Sequence, residues 1–237
     1  MAASLLDRIV RRLAGMIDRV QTSEPVVALT FDDGPDPAST PAVLDLLRRH
    51  HARATFFCVG ERAAAHPELT RRMAEDGHVI GNHSWSHERF PLMTAAQRVE
   101  QLARAAAHLP RQPVRLFRPP YGDYSLGSAF DVWRKGYQAI AWDVLVRDWC
   151  ERDAGRMRAV LEEKVRPGSI VLLHDALYKF TADDYPPRDA MLGALDDWLD
   201  HNGTRYRFVT VPELLAASRR YVRRSIRRIP PAQGARA

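Results

Sequence analysis

The chain has 237 residues and a formal net charge of +6. That length suits one large α/β domain, and no apolar run approaches the length needed to span a bilayer. Two cysteines, Cys58 and Cys150, exclude a disulfide framework, and a diffuse excess of Arg without a recognised binding motif gives no basis for expecting nucleic acid as a partner.

Residues 5–20 place Leu5, Leu6, Ile9, Val10, Leu13, Met16, Ile17 and Val20 at helical spacing, with Arg8, Arg11, Arg12 and Arg19 alongside. The spacing predicts an N-terminal amphipathic helix within residues 1–22 that covers part of the domain. Its alternative use is peripheral contact, through residues 1–20, with an anionic membrane surface. Asp7, Arg8, Arg11 and Arg12 interrupt any signal-peptide core, so a cytoplasmic protein is expected, with peripheral contact at the inner membrane face as the alternative.

From there, strand and helix patterns alternate. Strands are predicted at 25–31, 54–60, 78–81, 114–117, 137–142, 169–173 and 206–210. Helices are predicted at 40–51, 67–76, 94–108, 125–135, 153–164, 188–201 and from 212 onward. Such alternation implies a mostly parallel sheet covered by helices. About seven units fit a closed or nearly closed barrel, spanning residues 23–218 as a single domain. Residues 219–237 read as a basic tail, partly helical and then disordered.

The polar residues fall where strands end. Asp32-Asp33-Gly34-Pro35 closes the first strand, His83 and His87 follow the third, and Arg118-Pro119-Pro120-Tyr121-Gly122 follows the fourth. Asp143 and Asp148 follow the fifth, and His174-Asp175 close the sixth. In a parallel α/β barrel these ends share the rim that carries the active site. Two adjacent carboxylates are costly unless a cation shares them. His83 and His87, four apart, are expected on one face of a helical turn, and with one Asp they make a two-His, one-carboxylate set with open positions. Such a set serves either hydrolysis or O₂ activation. Only hydrolysis gives work to Asp32 as general base and His174 as general acid. Arg118, fixed by Pro119-Pro120, can hold Asp32, and the Tyr121 N–H can face a developing oxyanion.

Together these residues resemble the polysaccharide deacetylase family, the carbohydrate esterase group that shares the NodB homology domain. The resemblance rests on motifs at 30–35, 83–87, 118–122, 142–149 and 170–175. It implies a distorted (β/α)7 TIM-like barrel that removes an acetyl group, usually N-acetyl, from a sugar. By that similarity Asp33, His83 and His87 bind Zn²⁺, with Co²⁺, Ni²⁺ or Mn²⁺ as alternatives. Asp32 is the base, Arg118 orients it, Tyr121 N–H joins in oxyanion stabilisation, and His174 is the acid. Trp149 and Leu173 line an acetyl-methyl pocket, beside Pro120 and Tyr121. One position departs from the pattern: Leu145 stands where the family's fourth motif has the Asp that pairs with the acid histidine. Its absence would lower the pKa of His174 unless Asp143 or Asp148 substitutes. It also leaves open an impaired barrel that only binds carbohydrate or acts as a scaffold.

Overall fold

The computed structural model describes residues 14–178 and 187–223. In chain order it contains β1 (Ile17–Val20), β2 (Val26–Asp32), α1 (Thr40–Arg49), β3 (Ala54–Cys58), α2 (Gly60–Ala65), α3 (Pro67–Glu75), β4 (Val79–Asn82), α4 (Ala95–His108) and β5 (Leu116–Phe117). Then follow α5 (Leu126–Arg134), β6 (Gln138–Ala139), β7 (Val144–Leu145), α6 (Ala154–Lys164), β8 (Ile170–His174), α7 (Asp189–Asn202), β9 (Arg207–Phe208), α8 (Val211–Ala217) and β10 (Tyr221–Arg223). The main sheet runs β6-β5-β4-β3-β2-β8-β7, and β9 joins the start of β2. Its pairs are parallel. The sheet curls into a half-open (β/α)7 barrel of one domain, as the alternation predicts.

The centre of the sheet is β2, buried at every position. A strand sends alternate side chains to opposite faces. Val27, Leu29 and Phe31 enter the layer between sheet and helices with Leu44, Leu47, Phe56 and Trp198. Val26 and Ala28 point into the barrel with Phe57, Leu116, Ile140 and Ile170. Thr30 and Asp32 continue that inward row, so the same period that buries the strand delivers Asp32 to the barrel mouth. Helix α4 begins where the sequence predicts, with Thr94 and Gln97 forming a capping box.

The sequence reading and the structure part at the N-terminus. Residues 17–20, expected in the helix, form β1, which pairs antiparallel with β10. Most of the predicted helix, residues 1–13, lies outside the described residues, as do 224–237 of the basic tail. The apolar spacing at Met16, Ile17 and Val20 is satisfied differently: Ile17 and Val20 fill the barrel interior and Met16 a second core with Phe90, Phe117 and Val132. The β1 backbone also bridges the open side of the barrel. Ile17 O accepts from Ala141 N at 2.8 Å, and Val20 N donates to Gly168 O at 3.0 Å. Tertiary hydrogen bonds thus override the helical spacing.

Gly168 is the tight point of that bridge. Its φ is +85°, and a Cβ there would sit 1.9 Å from Val20 O. Backbone cannot yield as a side chain can. Gly168→Ala is expected to lower unfolding stability by at least about 2 kcal/mol, read from urea unfolding of the two proteins. An unchanged midpoint would mean that β1 is not anchored here.

Candidate active site

At the barrel mouth, Asp32 is buried and its Oδ1 accepts from Arg118 Nη1 at 2.7 Å. The Arg118 guanidinium is fully buried and crosses the barrel. It also donates to Thr30 Oγ1 at 2.8 Å and to Ala141 O at 2.9 Å, and lies over the Phe57 ring. Such a charge is tolerated away from water because nearly every donor has a fixed acceptor.

Asp33, one residue on, leaves the strand with φ +75°. The turn brings its carboxylate to face His83 and His87, with Asp32 Oδ2 also 3.8 Å from His83 Nε2. Asp33 Oδ1 lies 3.3 Å from His83 Nε2 and 3.1 Å from His87 Nε2. Asp33 Oδ2 accepts from the Tyr178 backbone N–H at 2.9 Å. His83 Nδ1 contacts Arg118 O at 2.8 Å, which puts a proton on Nδ1 and orients the ring so that Nε2 faces Asp33. Burial works against the charge of Asp33, but the facing nitrogens of His83 and His87 hold its carboxyl well below the usual range. Burial lowers His87, more than neighbouring Asp33 raises it, and so favours the neutral imidazole.

The two histidines do not sit on a helical turn. Residues 83–87 form a loop, with φ of +69° at Ser84 and +53° at His87. Side chains hold it: Asn82 Oδ1 accepts from Ser84 N, Ser84 Oγ from His87 N, and Gln101 Oε1 from Trp85 N and Ser86 N. The His87 ring is packed between Tyr121 and Tyr178.

The residues fit a metal ion. Ligand atoms about 2.0–2.2 Å from one ion lie roughly 3.0–3.5 Å apart, the spacing found here. The three side chains are buried with their donor atoms within 4.8 Å of one another, and Asp33 Oδ1 has no hydrogen-bond donor among the described residues.

Opposite this cluster stands His174, beside Asp32 in the β2–β8 register. Its Nδ1 is 2.9 Å from Asp148 Oδ1, and its backbone N donates to Asp148 Oδ2 at 2.8 Å. The partner thought missing at Leu145 is therefore present at Asp148. Leu145 lies in β7, paired with Leu172 and facing a cleft with Cys150 and Arg156. Asp143 is not in the site either: it accepts from Ile170 N and Ser169 Oγ at the start of β8. Burial pulls the pKa of His174 down, but the charge and hydrogen bond of Asp148, with Asp33 and Asp32 beyond, raise it to about 9. The fall expected without a substitute carboxylate does not occur, because Asp148, one of the two expected substitutes, supplies it.

Trp149 packs edge-on against His174, with ring centroids 5.4 Å apart, and Leu173 is buried in the layer outside the sheet. Trp149 borders His174, whereas the Leu173 side chain lies on the opposite face of β8 and does not line a pocket there. Pro120 is buried. Tyr121 has φ +59°, its ring is half exposed, and no hydrogen bond engages its N–H among the described residues.

One residue of the last motif finds an unexpected partner, and one residue, Arg188, escapes the motifs altogether. Asp175 accepts from Thr40 Oγ1 and sits so close to Gly34 that a Cβ there would meet its carboxylate at 2.0 Å; burial pushes it up to about 7. Arg188, which precedes α7, donates to Asp148 Oδ2 at 3.1 Å and to Asp148 O at 2.8 Å. A cation at a helix N-terminus opposes the helix dipole, and that local conflict is the signal that could have found it. A separate cleft of about 690 Å³, bordered by Leu102, Leu109, Val114 and Tyr137, contains none of these groups.

Comparison with known proteins matches residues 19–140 to the Polysaccharide deacetylase family. The chain belongs to this family. It is 38% identical over 168 residues to a chitooligosaccharide deacetylase of Azorhizobium caulinodans, covering 68% of this chain and 79% of that one. It is 36% identical over 202 residues to a peptidoglycan-N-acetylglucosamine deacetylase of Bacillus cereus, covering 83% of this chain and 91% of the relative. The crystal structure of the Bc1960 peptidoglycan N-acetylglucosamine deacetylase superposes with a TM-score of 0.78 at 30% identity, over 90% of this chain and 98% of that one. Among the described residues, no helix is long and apolar enough to cross a membrane.

Two outcomes follow from this geometry. Asp33→Ala and His83→Ala should each weaken binding of Zn²⁺ by more than the roughly 10–100-fold that losing an outer hydrogen bond costs, measured by titration calorimetry on protein stripped with chelator. The second concerns pH. In metal-free protein the raised His174 stabilises the fold fully below its ordinary pKa of 6.5, and that contribution is lost as pH rises through about 9. Asp148→Asn should flatten this fall in stability, followed by urea unfolding from pH 6 to 10; an equal slope in both proteins would refute the pairing.

Proposed function

We propose that the protein is a metal-dependent hydrolase that removes the N-acetyl group from N-acetylglucosamine units of a glycan. The observation that carries this reading is one arrangement. A base held by a guanidinium (Asp32–Arg118) and an acid held by a carboxylate (His174–Asp148) flank a buried Asp33–His83–His87 cluster. Names of the relatives, which include chitooligosaccharide and peptidoglycan deacetylases, support the choice of substrate class.

When bound, Zn²⁺ or a similar divalent ion would supply Lewis-acid polarisation of the acetyl carbonyl and acidify water. Asp33, His83 and His87 would hold it. Asp32 takes the proton of the attacking water, its carboxylate held in place by Arg118. The Tyr121 N–H, presented by the left-handed backbone after Pro120, donates to the carbonyl oxygen as negative charge develops there. As the C–N bond breaks, its electron pair goes to the sugar nitrogen, which takes a proton from His174 Nε2. Nδ1 of the same ring stays on Asp148, so the Nε2 proton points to the site. Trp149 beside His174 excludes water from the acetyl methyl.

The Leu145 departure does not weaken this scheme, because the carboxylate the acid needs comes from Asp148. The test is release of acetate from N-acetylglucosamine oligomers by the Zn²⁺-loaded protein. Asp32→Asn should keep its metal content and lose at least about 100-fold in kcat. A variant that retains most of its rate would remove Asp32 from the role of base.

A further inference from the structure

We propose that Arg188 is a positioning residue for the proton donor: it pairs with Asp148 and fixes its orientation while His174 gives up its proton. The inference rests on the reading of His174 as the acid and deepens it.

Asp148 is completely buried, and four hydrogen bonds fix it. Its Oδ1 faces His174 Nδ1 at 2.9 Å, and its Oδ2 accepts from His174 N at 2.8 Å and from Arg188 Nη1 at 3.1 Å. Its backbone carbonyl accepts from Arg188 Nη2 at 2.8 Å. The guanidinium therefore grips side chain and main chain of one residue at once, which sets the plane of the carboxylate that aims the imidazole. The Arg188 side chain is only 3% exposed. It is the N-cap residue of α7, where the helix dipole disfavours a cation. A buried charge in that place is retained against local preference, and Asp148 is one group that offsets it.

The consequence lies in the charge balance of the step. Before proton donation the row reads imidazolium, carboxylate, guanidinium. Afterwards His174 is neutral. Without Arg188, donation would leave Asp148 as a buried carboxylate with no counter-ion, a state that costs several kcal/mol, so the proton would be held back on His174. With Arg188 the carboxylate is paired in both states. On the base side Arg118 pairs with Asp32 before that carboxylate takes up the proton of the attacking water.

The experiment compares Arg188→Met, Arg188→Lys and His174→Asn in the full chain loaded with Zn²⁺, using N-acetylglucosamine oligomers. Arg188→Met should lower kcat about 10–100-fold with KM within about twofold. Arg188→Lys, which restores charge without the fork, should fall between it and the parent. In an Asp148→Asn background, Arg188→Met should change kcat by less than about twofold. Independently of turnover, the metal-free parent should show an exchange-protected downfield proton resonance for His174 Nδ1–H, shifted or lost in Arg188→Met while the backbone amide spectrum is retained. Should Arg188→Met not fold, Arg188→Lys and Arg188→Gln carry the same comparisons. The proposal falls if kcat of Arg188→Met stays within twofold of the parent, if the loss is equally large in the Asp148→Asn background, or if the Nδ1–H resonance is unchanged. If His174→Asn turns over normally, the reading of His174 as acid falls and the role of Arg188 with it. If His174→Asn is inactive and Arg188→Met is not impaired, only Arg188 is misassigned.

Discussion

The buried contact between Arg118 and Asp32 is the constraint on which the site depends. Two carboxylates end the central strand, and neither can be buried charged beside the other without compensation. The guanidinium neutralises one from inside the barrel. The turn at Asp33, with its positive φ, brings the other to face two imidazoles. Adjacent residues of like charge thereby enter different environments, one against a guanidinium and one against two imidazoles. Arg118 ties the parts together further, because its carbonyl orients the ring of His83.

Parallel topology makes this convergence inexpensive. Strand ends β2, β5, β7 and β8 all open onto one rim, and the β2–β8 register sets Asp32 beside His174. The short loops beyond those ends carry the chemistry, while the strands themselves carry the packing. Side-chain to backbone hydrogen bonds rather than regular structure stiffen the loops. Asn82, Ser84 and Gln101 do so around the two histidines, and Thr40 and Ser39 around Asp175. The acid half repeats the logic of the base half with the charges exchanged, as Asp148 sits between an imidazole and a guanidinium.

Much of the fold was legible because burial imposes its period on the chain. The all-buried β2, the strands around Phe56 and Leu172, and the capped helix after Thr94 follow the expected patterns closely. The misreadings have a common cause. Met16, Ile17 and Val20 satisfy a helical spacing and also a strand that dips into two cores, and only the bridge to Ala141 and Gly168 chooses between them. His83 and His87 have the separation of a helical turn, yet the backbone between them is set by Asn82 and Gln101. The two-residue strand at Val144–Leu145 is too short to show any period.

The sequence by itself determined which residue types reach the rim, since alternation along β2 and the positions of strand ends follow from hydrophobic burial alone. It also pointed to Asp33, His83 and His87 as a group that could hold a metal ion, because two His and an Asp at strand ends make a two-His, one-carboxylate set. Only the tertiary structure decided who partners whom. Leu145 looked like a lost carboxylate, whereas Asp148 occupies that role through contacts made from a loop 26 residues away in sequence from His174. Arg188 joined the site through a buried charge that local rules disfavour. Pairing across the barrel is a property of distances between segments, and no local pattern records it.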